Sequence, residues 1–149
     1  MGPEVEAIAS RMVAANEEGF LSGRVSVHEL VTDPVDIFHF PEWPGDGPMR
    51  RCRFLSVGED EDRAWIEAMP DFRQEDVSAS VNGDVIELKR TLCGTVPSGR
   101  EVRIPLRNLY SVSDGKIDRI EPRLTRDLME EIRDVLGQGG FDTDAEYGR

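Results

Sequence analysis

Three turn signals within one stretch of alternating residues constrain this chain more than any other feature of its sequence. From Glu75 onward, apolar and polar residues alternate, broken at Asn82-Gly83-Asp84, at Gly94 to Gly99 and at Asp114-Gly115. Asn-Gly is a strong hairpin signal, because the tight turns that match strand twist need positive φ at their central positions. The spacing predicts strands over Asp76 to Val81, Val85 to Cys93, Val102 to Val112 and Lys116 to Leu124, joined as an antiparallel meander.

Upstream the period changes. Val5, Ile8, Met12 and Ala15 recur at three- and four-residue steps and predict an amphipathic helix from Pro3 to Phe20. A short helix over Ser26 to Leu30, capped by Ser26, ends at Asp33-Pro34, because a residue before proline avoids the α region. Val35, Ile37 and His39 then alternate with Asp36, Phe38 and Phe40 as a strand stopped by Pro41. A turn-rich loop spans Glu42 to Pro48, a helix runs from about Glu59 to Met69, and a closing helix runs from Asp127 to Leu136. Helices followed by a meander make an α+β fold in one domain over 1–136, with a flexible acidic tail over 137–149. A strongly bent sheet of this kind can close into a cone around a cavity. A flat helix-on-sheet sandwich fits the same pattern.

Charge and cysteine spacing narrow the function classes. Thirty acidic against eighteen basic residues give a net charge of −12, a field that repels nucleic acids and anionic membranes. The one basic cluster, Arg50-Arg51-Cys52-Arg53, reads as a solvated strand or loop edge. Cys52 and Cys93 form neither a zinc spacing nor a redox pair, so no metal or cofactor is expected. A Gly-x-Ser-x-Gly motif is absent, which leaves a serine triad a distant reading. Apolar runs are far too short to cross a bilayer, and the N-terminus shows no secretory pattern, so the expected setting is the cytoplasm.

Three polar side chains stand alone on apolar strand faces. Arg90 shares its face with Ile86, Leu88 and Leu92, and such a guanidinium needs an acidic partner, a ligand oxygen or a path to solvent. His39 shares the face of Val35 and Ile37, where an imidazole can trade protons or serve structurally. Asn108 follows Val102, Ile104 and Leu106, with Tyr110 beyond it, and its amide can hold a carbonyl or enolate oxygen or bond to neighbouring backbone. Trp43 and Trp65 are candidate pocket wall or core. Glu121, alternating with Arg119 and Arg123, fits a solvated charge ladder.

The stretches Met69-Pro70-Asp71-Phe72, Asn82-Gly83-Asp84-Val85, Cys93-Gly94-Thr95 and Asn108 to Ile117, in this order, resemble the SnoaL-like branch of the nuclear-transport-factor-2-like superfamily over residues 5–136. The resemblance implies a cone-shaped, bent antiparallel sheet wrapped around N-terminal helices, a cystatin-like α+β barrel, often dimeric, with a deep apolar pocket. It implies a cyclase, isomerase or dehydratase acting on a polyketide-like or terpenoid-like molecule, or a non-catalytic ligand-binding or dimerisation module. His39 would shuttle protons, Arg90 and Asn108 would stabilise an oxyanion, and Trp43, Trp65 and Tyr110 would contact the substrate. By the same resemblance, Asn108 lies near the position of the oxyanion-donating acid of ketosteroid isomerases, and Arg90 falls at the arginine of limonene-epoxide hydrolases. The hydrolase aspartates are replaced by Leu92 and Pro122, and the isomerase tyrosine by Arg11 or Met12, so neither mechanism carries over whole.

Overall fold

The computed structural model describes residues 3–19 and 27–147. Helix α1 (Pro3–Glu18) and a helical turn over 27–30 precede β1 (Val31–Ile37) and the short β2 (Gly47–Met49). Helix α2 (Arg51–Ala68) leads into the meander β3 (Arg73–Asn82), β4 (Val85–Thr95), β5 (Glu101–Ser113) and β6 (Lys116–Arg123). Helices α3 (Arg126–Gln138) and α4 (Thr143–Tyr147) follow. Phe20 and Ser26, the expected end of the first helix and cap of the second, lie outside the described residues. The α+β class holds: a six-stranded curved sheet carries helices on its inner face.

Strand order is β2-β1-β6-β5-β4-β3. The meander is antiparallel throughout, as the turns require, but β1 lies parallel to β6 and β2 pairs antiparallel with β1. The sheet is therefore mixed, and it is unclosed, with edges at β2 and β3. Asp33-Pro34 sits inside β1 instead of ending a helix. Proline is tolerated there because β2 pairs only from Val35 onward and the register against β6 shifts between Val31 and Asp36, so its missing N–H leaves no gap in a ladder. Beyond Ile37 the backbone continues beside β6 through Phe38 N–H to Ile120 O (3.0 Å) and Phe40 N–H to Pro122 O (2.9 Å).

Two further expectations are corrected. Helix α2 begins at Arg51, not near Glu59, and so absorbs the basic cluster read as a strand or loop edge. Its start is held from outside: the Asp33 carboxylate accepts the Arg51 N–H (3.1 Å) and Arg50 Nε (2.8 Å), placing negative charge at a helix N-terminus. The segment expected as a flexible tail over 137–149 is packed where it is described. Residues to Gln138 belong to α3, Phe141 and Thr143 are buried, and α4 runs to Tyr147. One large aromatic, Phe141, stacked edge-on with Tyr147 at 5.8 Å, anchors a stretch whose other residues are mostly small or acidic.

The inner sheet face carries two apolar clusters. Val5, Ile8 and Met12 of α1 pack on Ile86, Leu88, Tyr110 and Val112. Trp65 and Met69, with Val135 and Leu136 of α3, pack on Leu92, Val102 and Ile104. An irregularity in the β5–β6 register between Ser111 and Val112 turns both Ile117 and Ile120 inward, and from there Arg119, Glu121 and Arg123 face out as an ion-paired ladder. Where α3 ends, Gly139 lies against α2 so closely that an added Cβ would fall 2.1 Å from the Ala64 carbonyl oxygen. Gly139→Ala should therefore destabilise by about 1–3 kcal/mol, the usual cost of overpacking, measured by urea unfolding; an unchanged midpoint would show that α3 moves aside freely. Asp71 clasps the end of β4, accepting Thr95 N–H (2.7 Å) and the Thr95 hydroxyl (2.9 Å). The Thr95 N–H, then its hydroxyl, hold this carboxyl below its ordinary value. Its contribution is present above the unfolded-state pKa and is lost as pH falls through the folded one. The stability gap between wild type and Asp71→Asn should therefore narrow as pH drops from neutral to below about 4, and a pH-independent gap would rule the linkage out.

Candidate functional site

A partly open cavity of about 160 Å³ lies between the two clusters, and all six residues singled out in the sequence line it: His39, Trp43, Trp65, Arg90, Asn108 and Tyr110. The sheet register explains why they meet. Leu88 pairs with Asn108 and Arg90 with Leu106, Asn108 pairs with Pro122, and the segment of His39 runs beside Ile120 to Pro122. Alternation turns each of these side chains to the inner face. They form a polar belt across the sheet, at the level where the α1 cluster stops and the α2–α3 cluster begins.

His39 is largely buried and forms a pair with Asp46. Its Nδ1 lies 2.6 Å from Asp46 Oδ1, with side-chain exposures of 18% and 14%. The second carboxylate oxygen accepts the backbone N–H of His39 (2.9 Å) and of Trp43 (3.1 Å). The aspartate is thus fixed by its own loop before it meets the imidazole. With a carboxylate at Nδ1, that nitrogen carries the proton and Nε2 is the one left for other chemistry. Trp43 stacks on the imidazole (centroids 5.5 Å apart), and the Arg133 guanidinium covers the Trp43 ring at 4.6 Å. The Trp43 indole N–H is buried without a hydrogen-bond partner among the described residues.

Arg90 is half-buried on the inner face, where it donates to Asn16 Oδ1 (3.0 Å) and Gln74 Oε1 (3.1 Å). Gln74 in turn donates to Asn16 O (3.1 Å), and Asn16, itself buried, donates to Met12 O (2.8 Å), so α1, β3 and β4 meet in one amide network around the guanidinium. Asn108 Nδ2 donates to the Tyr110 hydroxyl (3.2 Å). On the helical wall, Glu61 accepts Trp65 Nε1 (3.2 Å) and the Tyr147 hydroxyl. Trp65 is fully buried and stacked on Phe72 at 5.6 Å, so it is core as well as wall.

Sequence reasoning missed Asp46, Asn16, Gln74, Glu61 and Tyr147. Asp46 sits among turn formers, where an aspartate has a local reason to occur, and its seven-residue spacing from His39 carries no signal because no helix joins the two. Asn16 and Gln74 reach Arg90 from 74 and 16 positions away. No group of three or more metal-ligating side chains occurs among the described residues.

No family model matches the sequence, and no curated protein does. Solved structures do match in fold. A protein of Jannaschia sp. CCS1, proposed as a SnoaL-like polyketide cyclase, superposes with a TM-score of 0.58 at 18% identity, over 97% of this chain and 96% of that one. AclR of Streptomyces galilaeus, proposed as a hydroxylase, gives 0.58 at 21% identity over 88% and 82%. A de novo designed protein with a curved β-sheet gives 0.53 at 13% identity over 92% and 98%. The chain therefore has the SnoaL-like, nuclear-transport-factor-2-like fold. The Asp46–His39 pair should hold the imidazole in the Nδ1–H form, visible by ¹⁵N NMR of the ring. In Asp46→Ala both tautomers should appear, and an unchanged spectrum would remove Asp46 as the orienting group.

Proposed function

We propose that this protein is a small-molecule pocket enzyme of the SnoaL-like type, moving protons on an apolar, oxygen-bearing ligand in a cyclisation, isomerisation or dehydration. The observation that carries the reading is the Asp46–His39 pair in the wall of a largely apolar cavity. His39 Nε2 takes a proton from a carbon or hydroxyl of the ligand and returns it elsewhere, while Asp46 is the positioning group that stabilises the imidazolium formed between the two steps. Charge that develops on a ligand oxygen is met by Arg90 and by the Asn108 amide, whose second N–H is not engaged by Tyr110. Trp43, Trp65 and Tyr110 supply apolar contact. The polyketide class named for the Jannaschia protein is one source of such ligands, and terpenoid-like molecules are another. The proposed chemistry uses no metal or organic cofactor: proton transfer by His39 accompanies ring closure, double-bond migration or departure of a hydroxyl as water, none of which changes the overall oxidation level of the ligand.

A homodimer and a cytoplasmic setting belong to the same proposal. The outer sheet face supports the first with its cross-strand pairs Arg107–Glu87 and Arg103–Glu75, an ordered surface on which a second copy can register.

A second reading, a binding module without turnover, is favoured by one observation. Arg90 and Asn108 both have protein partners, so the belt is substantially satisfied without a ligand. Turnover separates the two. The protein is purified from its own cells, the bound compound is identified by mass spectrometry, and the compound is returned to the protein in D₂O and followed by NMR. Conversion with deuterium uptake is expected, falling about 10²–10⁴-fold in His39→Ala, the usual worth of a general acid–base, and less steeply in Asp46→Asn, with kcat affected more than KM. A compound bound tightly and returned unchanged by the wild type would establish the binding module instead.

A further inference from the structure

One side chain of the last helix walls the partly open cavity, and we infer that Tyr147 limits the site to a single-ring, oxygen-bearing ligand. The inference rests on the pocket reading above and goes beyond it in naming a size class and the residue that sets it. A volume of about 160 Å³ is close to that of an engineered apolar cavity of about 150 Å³ that accommodates benzene, and well below the roughly 300–1,000 Å³ of sites for larger molecules. One ring with a hydroxyl or carbonyl fits this space, and two or more fused rings overfill it. The polar belt of His39 and Asn108 lies on the sheet wall, so the oxygen of such a ring points there and its apolar edge points toward the helices.

Tyr147 is the side chain among the described residues that packs against both apolar clusters, and it is held from several directions. Its hydroxyl donates to Glu61, and its ring meets Phe141 edge-on. Its carbonyl lies against Gly45, where an added Cβ would stand 1.6 Å from the Tyr147 oxygen. Only a glycine lets the loop carrying Asp46 approach the last helix this closely, and Gly45 also has a φ of +88°. Neighbouring residues fix the same helix: Arg53 donates to Glu146 O (2.6 Å) and Arg133 Nε lies 3.0 Å from Asp144 Oδ1. Tyr147 is thus a placed wall. Trp65 also lines the cavity, but it is fully buried in the α2–α3 cluster, so half-buried Tyr147 can be removed with less loss of core than Trp65.

Calorimetric titration with 4-methylphenol and 1-naphthol tests this without knowing the natural ligand. Apolar area alone favours the larger compound, so a preference for the smaller one reports a size limit. The wild type should bind 4-methylphenol about tenfold or more tighter than 1-naphthol, a difference of about 1.4 kcal/mol. Tyr147→Phe, which keeps the ring, should retain that order, while Tyr147→Ala and Tyr147→Leu should each reverse it. Wild-type protein that prefers 1-naphthol would overturn the size limit and leave the pocket reading standing. Retention of the wild-type order in folded Tyr147→Ala and Tyr147→Leu would overturn Tyr147 as its cause. If neither phenol binds to any of the four proteins, the size limit and the pocket reading fall together.

Discussion

The unbroken ladder between β4 and β5, Val85 to Thr95 against Ser111 to Glu101, determines which way every side chain of the central sheet faces. Because the side-chain period of a strand is two, a slip of one residue would turn one strand over against the other, sending either Leu88 and Arg90 of β4 or Asn108 and Tyr110 of β5 to the outer face. Their inward direction is fixed by the Ile86, Leu88, Leu92 and Ile104 positions that two helical layers cover. The polar belt is therefore not held by its own interactions alone. It is positioned by the burial of apolar residues before and after it on the same strands, and the cavity is the gap between two cores that share one sheet.

The same alternation made His39, Arg90 and Asn108 legible in the sequence, since a polar residue on an apolar face announces itself within four or five positions. The meander and its turns were legible for a related reason: hairpins are local, and Asn-Gly and Asp-Gly act at their own positions. Interactions that cross the fold were not. Helix α2 starts at Arg51 because Asp33, eighteen positions earlier, receives its first N–H, and nothing near Arg51 advertises that. Asp46 reads as a turn former and is one, but its carboxylate also orients His39. The last helix was hidden because its acidic composition resembles a tail, while its place is secured by Phe141 and by the aromatic ring of Tyr147.

A curved sheet with helices on its inner face is a general solution to enclosing a small space, and a designed protein reaches it too. Whatever distinguishes this chain must then reside in the belt and the walls, where function is grafted on fold. The walls come from different parts of the chain: α1 and β3 supply the amides around Arg90, the loop before β2 supplies Asp46 and Trp43, and α2 and α4 supply Glu61 and Tyr147. Substitution in any one of them reshapes the space without touching the ladder.

The parallel pairing of β1 with β6 divides these contributions by how far apart in the chain they originate. Arg90 and Asn108 ride on hairpins whose strands adjoin in sequence, so bringing them together closes only short loops. Ile37 pairs with Ile120, eighty-three positions on, and His39 and Asp46 depend on that pairing. The larger loop-closure entropy falls on the half of the site that holds the His39–Asp46 pair. Local loosening of β1 would therefore carry the His39–Asp46 pair, held together within its own loop, away from Arg90 and Asn108 while leaving the amide network and the meander intact.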